Sequence, residues 1–152
     1  MRISTRGHYG LRAMVELANT KGSEPVALGD IAQSEHISVG YLEQIFSALK
    51  RAGLVTSTRG TKGGYQLAQP PSSVTVGDVL RVLEGPLVIA ECASEIAEPG
   101  CCERERACAS RVVWQRMRDS IVGVLNGTTL ADLCRDQPPL LRVPVSSDSG
   151  DF

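Results

Sequence analysis

LGDIAQSEHISVGYLEQIFSALKRAGLVTSTRGTKGGYQLAQP, residues 28–70, contains two short amphipathic segments, a tight turn and a glycine-rich basic tip between two β-prone runs. Leu28, Ile31 and Ala32 share one face of a helix near 28–35. Ile37 and Ser38 make a turn, and Ser38 has the short polar side chain that caps a third helix over 39–52. Leu42, Ile45, Phe46 and Leu49 give that helix a buried side, which leaves Gly40, Tyr41, Gln44 and Ser47 facing outward. Gly53 stops it. The runs 54–58 and 65–68 then flank Arg59-Gly60-Thr61-Lys62-Gly63-Gly64, the pattern of a β-hairpin.

Outward from this stretch, residues 5–19 place Leu11, Met14, Val15, Leu17 and Ala18 at helical spacing, and Gly22 and Pro25 end that helix. Thr75 caps a further helix bearing Val76, Val79, Leu80, Val82 and Leu83, broken at Gly85-Pro86. From Glu91 to Ala109 the periodicity lapses into an irregular loop around Pro99-Gly100. It resumes over 110–125, where Val113, Met117, Ile121 and Val124 form an apolar stripe that requires a partner surface.

Three helices with a turn before the third, followed by a hairpin, match the helix-turn-helix plan. The fold class expected is mainly α: a winged helix-turn-helix with a β-hairpin wing and a long carboxy-terminal dimerisation helix. The chain divides on this reading into a DNA-binding domain at 1–84, a cysteine-rich sensor loop at 85–109, the dimerisation helix and its end at 110–135, and a mobile tail at 136–152.

Charge agrees with this division. Residues 1–69 carry eight Lys/Arg against five Asp/Glu, and residues 70–152 eight against twelve, so the net charges are +3 and −4. Only the first half is suited to phosphates. Ser38, Tyr41 and Gln44 at the start of the third helix are candidate DNA contacts, Gln44 being able to address adenine through two hydrogen bonds. Arg59, Gly60 and Lys62 are candidates in the wing, where glycines let the backbone approach a groove closely.

Five cysteines, Cys92, Cys101, Cys102, Cys108 and Cys134, include four within seventeen residues. The amino terminus interleaves charged and apolar residues, unlike a signal peptide, and no apolar run is long enough for a bilayer. A cytoplasmic location without a membrane is expected, and in that reducing compartment clustered thiols read as metal-binding or redox-active. No nucleophile–base arrangement or phosphate loop points to an enzyme.

The 28–70 run, with MRISTRGHYGLRAMVELA at 1–18, VGDVLRVLEGP at 76–86 and TTLADL at 128–133, resembles the family of dimeric winged-helix regulators that includes IscR, NsrR and CymR. The YLEQ and RGTKGGY segments carry the most specific part of this likeness. The resemblance implies a homodimer with crossed carboxy-terminal helices on pseudo-palindromic double-stranded DNA, and places Tyr41, Gln44 and Arg59 near the duplex. It implies repression of iron-sulfur or sulfur-metabolism genes.

Cluster-binding members use three loop cysteines, the last two separated by five residues. Cys102 and Cys108 have that separation, so Cys92, Cys102 and Cys108 are the ligands implied, with Cys101 the less favoured alternative to Cys102. The gap after Cys92 is longer than in IscR-like members, and the position of their loop histidine holds Arg111, which cannot ligate iron. His8, where NsrR-like members place an acidic ligand from the opposite subunit, is the candidate fourth ligand, or else an ordinary surface residue. This mixed ligation favours a 2Fe-2S over a 4Fe-4S cluster. The alternatives are a CymR-like repressor signalled by an enzyme of cysteine synthesis and carrying no cofactor, and a zinc-bound or thiol-redox-switched DNA binder. His36 reads as structural and Cys134 as a small buried hydrophobe.

Overall fold

A computed structural model describes residues 2–20 and 24–134, so the tail expected at 136–152 lies outside the described residues. The elements run α1 (Thr5–Asn19), α2 (Leu28–Glu35), α3 (Val39–Arg51), β1 (Val55–Thr58), β2 (Gly64–Leu67), α4 (Val76–Glu84), α5 (Arg111–Gly127) and α6 (Leu130–Leu133). Single 3-10 turns occupy Pro71–Ser73 and Glu91–Ala93. Among the described residues no helix is long and apolar enough to cross a membrane.

Local chemistry sets the helix starts. Ser38 accepts a hydrogen bond from the Tyr41 amide, and Thr75 and Asp78 form a reciprocal capping box on α4. The strands are antiparallel, with Val55 opposite Leu67 and Thr58 opposite Gly64. Val26 adds a rung, exchanging two 2.8 Å hydrogen bonds with Tyr65. Gly64 permits that approach, because a Cβ there would overlap the Val26 carbonyl.

The core lies among α1, α3, α4 and β1, where Met14, Leu42, Ile45, Phe46, Leu49, Val55 and Val79 are fully buried. Phe46 meets Tyr65 edge-on at 5.0 Å, seating the hairpin on α3. α1 and α4 approach through Gly7 and Gly10, against which the Glu84 and Leu83 side chains rest.

α5 departs from this body and buries none of its residues. The chain then returns: the Val76 amide donates to the Thr128 carbonyl, and the Leu130 amide donates to Val74, each at 2.9 Å. Leu130 itself is fully buried in the same core. The segment after α5 thus completes the body that α1 begins.

Candidate nucleic-acid interface and cysteine loop

Packing of α3 through Leu42, Ile45, Phe46 and Leu49 turns Ser38, Gln44 and Ser47 to the surface. Ser38 combines exposure with its capping role. Tyr41 differs from the expectation of an outward residue: it is half-buried against the core and meets Tyr9 of α1 edge-on at 6.2 Å. The cause is α1 crossing beside the start of α3, a tertiary contact that helical periodicity does not contain.

Arg59, Gly60 and Lys62 are exposed at the hairpin tip, where Gly60 has a φ of +112°. Neither Arg59 nor Lys62 forms an ion pair among the described residues, which leaves both cations available to an anion. Lys50 near the end of α3 donates to Ser57 of β1, tying helix and wing together. The arrangement offers an exposed helix start and a basic loop on one framework.

His8 is exposed on α1, its ring 5.9 Å from that of Tyr9. Arg12 lies over the Tyr9 ring and pairs with Glu35 at the end of α2. His36 ends α2 in a left-handed conformation, φ +55°. Its role is therefore a backbone one, with its side chain exposed.

Two carboxylates organise the cysteine loop. Glu95 accepts two hydrogen bonds from Arg81 of α4, at 2.9 and 2.6 Å, and one from the Leu87 amide at 2.7 Å. Arg81 also donates to Asn126 of α5. These donors, Arg81 foremost, hold the Glu95 carboxyl below the usual carboxylate range. Further along, Glu105 pairs with Arg111 at 2.6 Å and accepts from the Gly100 amide. Neither carboxylate was singled out from sequence, since each acts through partners on other turns or helices.

Cys92, Cys102 and Cys108 are half-buried, Cys101 is exposed, and none is in a disulfide. The Cys101 thiol rests 3.8 Å from the Glu91 carbonyl. Cys108 lies 3.2 Å from the Ser110 hydroxyl, and hydrogen bonding by Ser110 and by the Arg111 amide lowers its pKa. A stabilised thiolate is the form that metals bind. Arg111 Nε is buried without an acceptor, leaving a donor beside the Cys108 end of the loop. Cys134 is half-buried, its thiol directed at the Val15 carbonyl and its pKa raised by burial.

In donor chemistry the loop suits an iron-sulfur cluster: it holds four unbridged thiols, one of them with a lowered pKa, and a buried donor lacking an acceptor. In geometry, no three His, Cys, Asp or Glu residues converge on one point among the described residues. Bringing Cys92, Cys102 and Cys108 together requires the loop to close.

The family model described as an iron-dependent transcriptional regulator, Rrf2, matches residues 3–136. The transcriptional regulator CymR of Bacillus subtilis is 47% identical over 133 residues, covering 88% of this chain and 89% of CymR. Escherichia coli IscR is 36% identical over 140 residues, covering 92% of this chain and 84% of IscR. The solved structure of B. subtilis CymR, described as the global cysteine regulator, superposes with a TM-score of 0.72, covering 88% of this chain and 96% of the other. That of T. potens IscR does so with a TM-score of 0.71 at 40% identity, covering 90% and 88%. The relatives are named as transcriptional regulators and not as enzymes, and the chain belongs to the Rrf2 family of transcriptional regulators.

Proposed function

We propose that this regulator acts as a homodimer on a pseudo-palindromic operator, as a repressor of iron-sulfur or sulfur-metabolism genes, with DNA affinity set by an iron-sulfur cluster on Cys92, Cys102 and Cys108. The crowding of four unbridged thiols into the loop between the DNA-binding body and α5 carries the reading. Gln44 addresses base edges, Ser38 and Tyr41 position the start of α3, and Arg59, Gly60 and Lys62 meet the backbone or enter the minor groove. Exposed apolar residues of α5, with Val113 at 53% and Val124 at 58%, supply the dimer contact.

A cluster held by Cys92, Cys102 and Cys108 would supply redox-active iron that keeps three thiolates together, and its loss would release them. The chain's own contribution is mechanical. Arg81 grips Glu95 and Asn126, so loop, α4 and α5 share one guanidinium. Arg111 grips Glu105 at the first residue of α5. Closing the loop on three thiolates pulls on both helices, and it becomes a switch only because the two loop states differ in affinity for DNA. The partner subunit's His8 is the proposed fourth ligand, which favours a 2Fe-2S cluster.

Protein prepared without oxygen should be coloured. Cys92→Ala, Cys102→Ala and Cys108→Ala should each lose iron, while Cys134→Ala keeps it. His8→Ala should shift the visible spectrum. Colourless protein with stoichiometric zinc would overturn the cluster reading.

A second reading is favoured by the 47% identity to CymR: a repressor signalled by a cysteine-synthesis enzyme, with no cofactor. Operator affinity would then be indifferent to iron and responsive to the added enzyme.

A further inference from the structure

The cluster reading leaves one loop thiol unused. Cys101 is the exposed member of the four, and its thiol rests on the carbonyl of Glu91, the residue preceding Cys92. A chain reversal creates this placement: the Cys101 amide donates to the Glu98 carbonyl at 3.2 Å, and Gly100 takes a φ of +84°. Across from it, the 3-10 turn holding Cys92 is fixed by hydrogen bonds from the Ala93 amide to Ala90 and from the Ile89 amide to Ala93. Glu105 accepts from Gly100 and pairs with Arg111, anchoring the reversal to α5.

We propose that Cys92 and Cys101 form a dithiol pair that closes to a disulfide under peroxide and so withdraws Cys92 from the cluster. The inference takes from the functional reading only the assignment of Cys92 as a ligand. The disulfide spans a ten-residue ring that the Pro99-Gly100 turn folds back, bringing the Cys101 thiol to 3.8 Å from the carbonyl of the residue before Cys92. Cys108 is occupied with Ser110, and Cys102, next to Cys101, stays free for the cluster.

The step balances with hydrogen peroxide as the oxidant. The Cys92 thiolate attacks one peroxide oxygen, the O–O bond breaks, and Cys92 becomes a sulfenic acid as hydroxide leaves and takes up the Cys92 proton. The Cys101 sulfur then attacks that sulfur, the S–S bond forms, the S–O bond breaks, and water departs with the Cys101 proton. Two thiols give up two electrons and two protons, and one peroxide becomes two waters. The same disulfide and the same balance result whichever of the two thiols meets the peroxide first.

The test treats the full-length chain with hydrogen peroxide, blocks remaining thiols under denaturing conditions and cleaves after glutamate. Cleavage at Glu91, Glu95 and Glu103, with Pro99 protecting the bond after Glu98, leaves peptides 92–95 and 96–103, joined only through a disulfide. The joined peptide should appear at the summed mass less two hydrogens, disappear in Cys101→Ser and persist in Cys102→Ser. The reverse pattern in the two variants, or both peptides recovered fully blocked, would overturn the pair. Iron content separates this from the cluster reading: Cys101→Ser should retain iron, and its loss would reject Cys102 as the ligand while leaving the mass result to decide the disulfide.

Discussion

The Glu84 carboxylate, at the end of α4, accepts a 3.0 Å hydrogen bond from the amide of Gly7 in the first turn of α1. Ser4 donates to the same oxygen from its amide, at 3.1 Å, and from its hydroxyl. A negative charge thereby sits at the positive end of α1 and satisfies donors that the helix leaves open.

Gly7→Ala should destabilise the protein by about 0.5–2 kcal/mol, because a Cβ would displace the Glu84 carboxylate and remove its cap from α1. Glu84→Ala should cost about 0.5–2 kcal/mol through loss of the cap. Denaturant unfolding at one fixed protein concentration measures both. Unchanged midpoints would mean that this contact carries no stability.

Glu95 makes an acid-side prediction. Its pKa is lowered in the folded protein, chiefly by Arg81, so its contribution is present above the unfolded carboxylate pKa and is lost as pH falls through the lower folded value. Glu95→Gln should remove stability at neutral pH, and the gap to the parent protein should narrow on acidification. Parallel curves from neutral to acid pH would contradict this.

Base and phosphate contacts should separate on the DNA surface. Gln44→Ala is expected to cost ~1–3 kcal/mol and relax preference at one position, whereas Lys62→Ala should weaken all sequences alike and reduce the salt slope by about one. Titrations of operator and scrambled duplex across salt concentrations would show the two variants behaving alike if the division were wrong.

Met117→Glu, placed on the exposed face of α5, should shift sedimentation from dimer to monomer and weaken operator binding, with the fold of the body retained. An unshifted dimer would remove α5 from the interface.

The parts legible in sequence are those decided within a few residues. Ser38 and Thr75 announce their caps, and the wing follows from two β-prone runs around a glycine-rich tip. The Glu84 cap on α1 spans 77 residues, and the Arg81–Glu95 bond links a helix to a loop, so neither leaves a periodic trace. Tyr41 shows the same limit: its spacing assigns a face, but Tyr9 decides its burial. The cysteines are legible as a set because their residue type carries the chemistry. Their arrangement depends on Glu95, Glu105 and the turn at Gly100.

The fully buried Leu130 has a consequence for protein engineering. A fragment ending at residue 84 would leave a hole where that side chain belongs, so the DNA-binding body is not a detachable cassette. Loops exchanged between relatives therefore belong between Glu84 and Thr128, as an insertion with both flanks preserved, and a hybrid made by simple end-to-end fusion would start with an unfilled interior.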